Sequence, residues 1–512
     1  MSDEDKSQQA VFAFLADPAT HGSAKVTRID THAASVFLAG DRALKVKRAV
    51  RFPFLDYSTP EKRKAACAAE LSVNAPYAPE IYRGVVPITR DANGKLAIAG
   101  SGAPLEWAVE MVRFDERHTL DHLADEIDEA LADALGRAVA AAHVKTPAVD
   151  AEKWIAALGG YIDEHVEAFG QYPDIFPAAE IEALAGQSRE AFQRIVPLLR
   201  ERARRGFVRR IHGDLHLGNI VLIGGKPVLF DAIEFSDIIA SGDVFYDLAF
   251  LLMDLLERGL TLAANVVLNR YLTQTRRIEN LEALATLPFF LSMRASIRAR
   301  VTAARLERAK TSDQESIARA AQAYFEFARQ AITPPAPKFV AIGGLSGTGK
   351  TKLALALAPE LKPMPGAVIV RSDVERKALF GIEETEKLPA AAYVGEVTAR
   401  VYSTLIDKAR RILAAKHSVI VDAVFAQAEE RADIADAAES AKFALHGLFL
   451  TADLKTRLAR IGRRVHDASD ADTEVAQAQE RYSTGEVDWT EIDASGTPEN
   501  TLARAKAALG SD

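Results

Sequence analysis

The segment His212-Gly-Asp214-Leu-His-Leu-Gly-Asn219 sets a carboxylic acid and a carboxamide five positions apart. A second carboxylic acid, Asp231, follows after a segment with the pattern of a short strand-turn-strand. The spacing H-x-D-x-x-x-x-N, with a carboxylate beyond a hairpin, supplies one general base and two metal ligands in phosphoryl transfer. It predicts that Asp214 orients and deprotonates an acceptor hydroxyl, while Asn219 and Asp231 hold Mg²⁺ against the phosphates of ATP.

A glycine-rich segment forms the second chemical motif, Gly344-Leu-Ser-Gly347-Thr-Gly349-Lys350-Thr351. It fits G-x-x-x-x-G-K-[ST] and lies between an apolar strand-like run and a helical one, the context that this pattern requires. Glycines allow backbone N–H groups to wrap phosphates, and the following helix N-terminus adds its positive end. Lys350 is therefore predicted to reach the β- and γ-phosphates, and the Thr351 hydroxyl to ligate Mg²⁺.

Two carboxylates follow strand-like runs downstream of this loop. Asp373 comes after Ala367–Val370, and Asp422 comes directly after Ser418–Val421. Ligands of open α/β sheets bind at the carboxyl ends of the strands. Asp373 is predicted to take a proton from an acceptor hydroxyl, and Asp422 to support the magnesium site through the ligands that are bound to the ion.

Four arginines cluster on one predicted helix and its end: Arg457, Arg460, Arg463 and Arg464. Two interpretations are open at this point. The run is either a solvated helical face or a lid whose guanidinium groups neutralise the charge of the transferring phosphoryl group.

Strand-like runs at the beginning of the chain predict a small antiparallel sheet, at Val26–Ile29, Ser35–Leu38, Ala43–Val46 and Glu106–Val112. Pro60–Asn74 is a predicted helix with Thr59 as its N-cap. Apolar residues recur at helical spacing over about 120–142 and 152–205, and helical patterns resume after the hairpin up to about residue 330.

The proline-rich residues 333–337 are predicted to be a linker. The sequence thus divides into a domain of residues 1–332, the linker, and a domain of residues 338–512. Strands and helices alternate beyond the linker, which indicates a parallel sheet covered by helices. No internal repeat is present.

The first motif resembles that of the aminoglycoside phosphotransferase and choline kinase group, which phosphorylates small molecules. Gly213 in place of Arg after the histidine separates it from protein kinases, as does Asp231-Ala-Ile-Glu in place of Asp-Phe-Gly. The resemblance implies that Lys45 pairs with the ATP phosphates, that Glu70 is its ion-pair partner, and that the backbone at Met111 meets adenine. The turn at residues 30–35 departs from protein kinases because it contains no glycine.

Several polar residues near this motif have alternative interpretations. Lys47 competes with Lys45 for the phosphate-binding role, although a solvated basic strand end explains it equally well. Asp243 and Asp247 match the family helix that braces the catalytic loop and are interpreted as structural. For His143 a hydrogen-bonded core position is favoured over ligand binding. For His216, inside the catalytic loop, both interpretations stay open.

Residues 338–508 resemble the small-molecule and polynucleotide kinase branch of P-loop proteins, which includes gluconate kinase, the phage polynucleotide kinase domain and the zeta toxins. The resemblance rests on the P-loop, on Arg371-Ser-Asp373-x-x-Arg376, on Val421-Asp422-Ala and on the arginine-rich run. It implies that Asp373 faces the acceptor and that Arg457 and Arg464 are lid residues.

The combined chain resembles a group of bacterial two-domain proteins described as predicted kinases. The expected fold class is an α+β protein-kinase-like bilobal domain followed by an α/β P-loop domain with a parallel sheet.

The composition of the 512 residues fits a globular cytoplasmic enzyme. Lys and Arg total 63 against 71 Asp and Glu, so the net charge of −8 gives no general electrostatic reason to expect nucleic-acid binding. The lone cysteine, Cys67, excludes an internal disulfide framework and a cysteine-rich metal site. No signal peptide and no membrane span are recognised.

The leading functional hypothesis is a bifunctional enzyme that transfers the γ-phosphoryl group of ATP, with Mg²⁺, to hydroxyl groups of small molecules. In one alternative, a domain is a nucleotide-dependent switch that regulates the other. In another, the second domain is a polynucleotide 5′-hydroxyl kinase, which requires a basic channel near Arg371 and Arg457.

Overall fold

The computed structural model describes residues 3–52, 55–462, 468–482 and 484–510. Contacts divide the chain into two compact units: residues 1–164 with 196–254, and residues 165–195 with 255–512. The unit boundaries fall within three long helices, α4 (Glu152–Gly170), α5 (Ala178–Arg204) and α6 (Val244–Glu257).

The first unit contains an antiparallel sheet with the strand order β1-β2-β3-β8-β6-β7. The strands and helices up to the end of this sheet are α1 (Asp3–Ala16), β1 (Val26–Asp30), β2 (Ala34–Ala39), β3 (Arg42–Lys47), β4 (Arg51–Phe52), β5 (Leu55–Asp56), α2 (Pro60–Asn74), β6 (Tyr82–Arg90), β7 (Leu96–Ile98) and β8 (Ala103–Val112). Helix α2 has its predicted bounds because Pro60 fixes its first turn and the Thr59 hydroxyl accepts the Lys62 N–H at 3.4 Å.

Two short antiparallel pairs frame the first chemical motif. Their strands are β9 (Val208–Arg210), β10 (Ile220–Ile223), β11 (Lys226–Leu229) and β12 (Ser241–Asp243), and helix α3 (Glu129–Lys145) precedes them in the chain. Strand β9 pairs with β12, and β10 pairs with β11 through a turn in which Gly224 and Gly225 have φ of 58° and 76°. The loop with Asp214 therefore lies between β9 and β10, and Asp231 follows β11.

The second unit begins with helices and ends with a parallel sheet. The helices before the sheet are α7 (Thr261–Thr275), α8 (Glu279–Glu282), α9 (Leu287–Ala304) and α10 (Thr311–Ile332). Residues 333–338 contain neither helix nor strand. The following elements are β13 (Phe339–Gly343), α11 (Lys350–Leu357), β14 (Val368–Arg371), α12 (Ser372–Leu379), α13 (Gly395–Ala414), β15 (Val419–Asp422), α14 (Ala428–Ala441), β16 (Leu445–Thr451), α15 (Leu454–Ile461), α16 (Thr473–Ala478), β17 (Thr490–Asp493) and α17 (Pro498–Leu509).

The parallel sheet has the order β14-β15-β13-β16-β17. Its central strands are buried and apolar, as expected for a sheet covered by helices on its faces. Because the strands are parallel, the carboxyl ends of all five lie along the same edge of the sheet. That edge carries the P-loop after β13, Asp373 after β14 and Asp422 at the end of β15.

Candidate active sites

The loop between β9 and β10 is held by buried carboxylates. Asp247 accepts hydrogen bonds from the backbone N–H groups of His212 at 2.9 Å and Gly213 at 3.0 Å, and lies 3.2 Å from Nε2 of His143. Asp243 forms a two-point ion pair with Arg202. These contacts agree with the structural interpretation of Asp243, Asp247 and His143.

Glycine is required at position 213 by the path of this loop. Gly213 has φ of +83°, and an added Cβ would lie 3.2 Å from both the Ile233 side chain and the Ile239 carbonyl. The neighbouring His212 is buried, which lowers its pKa, and its Nε2 lies 2.9 Å from the Phe230 carbonyl. The neutral imidazole therefore ties the catalytic loop to the residue that precedes Asp231.

Asp214 and Asn219 lie in direct contact, as their spacing predicts. The Asn219 amide donates to the Asp214 backbone carbonyl at 2.9 Å and to its Oδ2 at 3.0 Å. His216 lies beside Asp214, and its ring is held by the backbone of the same loop. Its Nδ1 accepts the Gly218 N–H at 3.1 Å. In a neutral ring the proton must then be on Nε2, which is 3.4 Å from Asp214 Oδ2.

Lys45 is joined to both of its predicted neighbours. Its Nζ lies 2.8 Å from Glu70 Oε1 and 2.7 Å from Asp231 Oδ1. Glu70 is fully buried. Burial disfavours its charged form, but the attraction of Lys45 and Lys47 outweighs burial and lowers the pKa of Glu70 to about 2.

Lys47 is buried, so its interpretation as a solvated strand end is wrong. Its Nζ lies 2.6 Å from Glu70 Oε2 and 2.5 Å from Glu234 Oε1, and only 4% of its side chain is exposed. Tyr57 also donates to Glu234, at 3.1 Å. The ionic chain therefore runs from Asp231 through both lysines and Glu70 to Glu234.

Strand β8, which carries Met111, borders an apolar cluster. Met111 is half-buried and packs against a group of buried residues that includes Tyr82 and Val109. Tyr82 also contacts the predicted metal ligand Asp231, since its hydroxyl oxygen accepts the Asp231 N–H at 3.2 Å. Asp231 itself has φ of +60°, a conformation that non-glycine residues seldom adopt.

In the second unit two of the three P-loop glycines, Gly344 and Gly347, are required by close approaches. Added Cβ atoms would lie 2.5 Å from the Leu450 carbonyl at Gly344 and 2.7 Å from the Arg457 carbonyl at Gly347. At Gly349, by contrast, the nearest atom would be 3.8 Å away. All three have positive φ, which aims successive N–H groups into the loop.

The polar side chains of the P-loop meet the end of β15. The Thr351 hydroxyl donates to Asp422 Oδ2 at 2.6 Å, and the Lys350 Nζ donates to the Leu345 carbonyl at 3.2 Å. Arg371 reaches the same place, with its Nε 3.6 Å from Asp422 Oδ2. Hydroxyl and carboxylate oxygens here, and the Asn219 and Asp231 oxygens in the first unit, are donors of the kind that Mg²⁺ takes.

Asp373, the second residue of α12, lies beside this cluster. Burial raises its pKa; Asp422 acts in the same direction, whereas Arg371 and Lys350 oppose it. Ser469 hydrogen-bonds to its carboxylate. A carboxylate of raised pKa is better suited to accept a proton from a hydroxyl group.

Arg457 is 1% exposed, so the solvated-face interpretation is wrong for this residue. Its Nε donates to the Ser346 carbonyl at 2.8 Å, and its guanidinium also contacts Gln479 and Glu480. Gln479 in turn accepts the Ser346 N–H at 2.7 Å. The second residue predicted for the lid, Arg464, lies outside the described residues, as does Arg463.

Arg460 supports the same loop from the next turn of α15. Its guanidinium donates to the Thr348 carbonyl at 3.1 Å and to the Ala494 carbonyl at 2.7 Å. The predicted lid role of Arg457 stays a prediction, and its contacts add a role in bracing the P-loop. No sequence periodicity signals Gln479.

Comparison with known proteins matches a family model to each of two parts of the chain. The family model described as the phosphotransferase enzyme family matches residues 28–284, half of the chain, and the protein belongs to that family. A model described as an AAA domain matches residues 339–484. The chain thus combines a kinase-like phosphotransferase domain with a P-loop kinase-like domain, and the two predicted resemblances are confirmed.

Similar proteins cover either the whole chain or one part. An uncharacterized protein of Mycobacterium tuberculosis is 27% identical over 490 residues, 93% of this chain and 94% of that protein. A choline/ethanolamine kinase family protein from Mesorhizobium loti is 15% identical and covers 64% of this chain and 99% of its own, with a TM-score of 0.38. A gluconokinase from Sinorhizobium meliloti is 19% identical and covers 34% and 91%, with a TM-score of 0.26.

Among the described residues, no helix is both long and apolar enough to cross a membrane.

Proposed function

We propose that the protein is a bifunctional ATP-dependent phosphotransferase, in which each site transfers the γ-phosphoryl group of ATP to a hydroxyl group of a small molecule. The observation that supports this proposal is that each unit by itself brings together two carboxylates and a lysine, the side chains that such a transfer uses as base, metal ligand and phosphate-binding group. Asp214 and Asp231 with Lys45 serve the first site. Asp373 and Asp422 with Lys350 serve the second.

In the first site Asp214 accepts the proton of the acceptor hydroxyl as the oxygen attacks the γ-phosphorus, and ADP leaves. His216 and Asn219 orient the Asp214 carboxylate. Lys45 neutralises phosphate oxygens, and the backbone at Met111 meets adenine. Asn219 and Asp231 are the residues that would hold Mg²⁺.

In the second site the N–H groups of the loop from Gly344 to Thr351 hold the phosphates, and Lys350 neutralises charge on the transferred group. Asp373 takes the proton from the acceptor. Thr351 and Asp422 would hold Mg²⁺, directly and through its water shell. When bound, Mg²⁺ offsets the negative charge that the β- and γ-phosphate oxygens carry.

Incubation with γ-labelled ATP and a cell metabolite extract tests the proposal. We expect Asp214→Ala and Lys350→Ala each to remove a different set of labelled products, and the double variant to remove all of them. Lys387→Ala, at an exposed lysine, is the control. A double variant that labels products as the wild type does would refute the proposal.

The same assay separates the alternatives. If the second domain is a switch, Lys350→Ala changes the amount of the Asp214-dependent product, and no product depends on Lys350 alone. A single-stranded oligonucleotide with a 5′-hydroxyl, added as acceptor, tests for polynucleotide kinase activity.

A further inference from the structure

Strand β14 forms an edge of the parallel sheet and pairs along one side with β15. On that side the Val368 N–H donates to the Ser418 carbonyl at 2.9 Å. The next N–H, that of Ile369, points away from β15 because backbone groups alternate along a strand. An edge of this kind ordinarily needs cover from another part of the protein.

Two asparagines of α7 supply hydrogen bonds to this edge as a neighbouring strand would. Asn269 Oδ1 accepts the Ile369 N–H at 2.8 Å, and its Nδ2 donates to the Ala367 carbonyl at 3.1 Å. Asn265 donates to the same carbonyl at 3.0 Å. Helix α7 approaches so closely that a Cβ at Gly366 would lie 2.6 Å from Asn265 Nδ2.

A second connection from α7 reaches the segment after α12. Arg270 pairs with Glu384 at 2.8 Å, and each side chain is 17% exposed. The Glu384 carbonyl accepts from Lys377 at 2.7 Å, and Lys377 pairs with Asp470 at 3.1 Å. Asp470 directly follows Ser469, which hydrogen-bonds to Asp373.

Both connections therefore lead to one carboxylate. The first holds β14, which ends two residues before Asp373, and the second reaches Ser469 beside it. Helix α7 lies within residues 28–284, which match the phosphotransferase family model. Asp373 lies within residues 339–484, which match the AAA domain model. We propose that α7 positions the acceptor side of the P-loop site, with Asn269 and Arg270 as positioning residues.

This inference rests on the proposed function of Asp373 as the base of the second site. The nucleotide side of that site lies on β13 and α11, whereas the hydrogen bonds of Asn265 and Asn269 go to β14 and the ion pair of Arg270 goes to the segment after α12. Loss of the α7 contacts is therefore expected to displace the base while the phosphate-binding loop stays in place. Misplacing a reacting group by about 1 Å can slow a reaction by about 10²-fold.

The test uses full-length protein carrying Asp214→Ala, so that ATP hydrolysis reports on the second site. We expect Asn269→Ala to increase deuterium uptake of the peptide over residues 366–373, to lower turnover about tenfold or more, and to leave the KM for ATP unchanged. Leu262→Ala, at an exposed leucine of the same helix, is the matched control.

Arg270→Gln provides a second variant if Asn269→Ala does not fold. It keeps the hydrogen bonds to β14, so faster exchange is expected over residues 380–388, again with lower turnover. The inference is wrong if uptake matches that of the Leu262→Ala protein, or if uptake rises while turnover is unchanged. Unchanged turnover in Asp373→Asn would instead overturn the role of Asp373, whatever the exchange experiment shows.

Discussion

The Nζ atom of Lys45 lies 2.7 Å from Oδ1 of Asp231, whereas that of Lys47 lies 2.5 Å from Oε1 of Glu234. The two lysines stand two positions apart on β3 and share Glu70. Their outer partners differ, and we expect their functions to differ as well: Lys45 contacts Asp231, the predicted metal ligand, whereas Lys47 contacts Glu234, whose side chain is 7% exposed.

Lys45→Met is expected to reduce kcat/KM of the first site by about 10²-fold, because a positive charge aimed at the phosphates is lost. Lys47→Met is expected mainly to lower the free energy of unfolding, by about 3 kcal/mol, because Glu234 loses a buried cationic partner. Steady-state kinetics and chemical denaturation measure the two effects. Lys62→Met, on the exposed part of α2, is the control. Equal kinetic losses in both β3 variants would contradict this division.

Because the pKa of the buried Glu70 is lowered, we expect its contribution to the free energy of unfolding to depend on pH. Its pKa is lowered from an ordinary 4.5 to about 2, so its stabilisation is fully present above pH 4.5 and is lost as pH falls towards 2. The difference in unfolding free energy between the wild type and Glu70→Gln should therefore shrink as pH falls over this range. Thermal unfolding at several pH values measures it, with the exposed Glu80→Gln as control. A difference that is constant with pH would show that Glu70 keeps its ordinary pKa.

The sequence predicts a helix or strand correctly where residues at its ends mark its limits. The bounds of α2 follow from Thr59 and Pro60, and the β13 strand and its loop follow from an apolar run and three glycines. The strand β6 was missed because Gly84 and Pro87 interrupt its pattern, and β17 was missed because it is short and mostly exposed. Helix α1 was also missed.

The same holds for the candidate sites: residues close together in the sequence can be recognised, whereas pairs far apart in the sequence cannot. Asp214, Asn219 and the P-loop are recognisable because fixed spacing along the chain encodes their geometry. The pairing of Lys47 with Glu234 spans 187 residues, and that of Ser346 with Gln479 spans 133. Contacts between such distant positions have no periodic signature, so a single sequence does not reveal them.

His216 is expected to hold the Asp214 carboxylate in its reactive orientation, since the Gly218 N–H fixes the ring tautomer. His216→Ala should lower kcat of the first site about tenfold with little change in the KM for ATP, as expected for loss of an orienting contact. His216→Gln, which retains a side-chain N–H donor, should recover part of the loss. Kinetics with a product found by the labelling experiment provide the measurement. An increase in KM alone would assign His216 to ATP binding instead.

A variant of Arg457 can distinguish two possible functions of this residue. It either supports the P-loop or neutralises the transferring phosphoryl group as part of a lid. Because its buried guanidinium holds the Ser346 carbonyl, Arg457→Lys should weaken nucleotide binding at the second site about tenfold and lower the melting temperature, as loss of a buried charged hydrogen bond requires. Calorimetric titration with ATP, compared with the Lys350→Ala protein, isolates that site. Arg481→Gln, at an exposed arginine, is the control. If affinity and melting temperature stay at wild-type values while kcat falls, Arg457 acts on the transferring phosphoryl group as a lid residue, and its bracing contacts contribute nothing measurable.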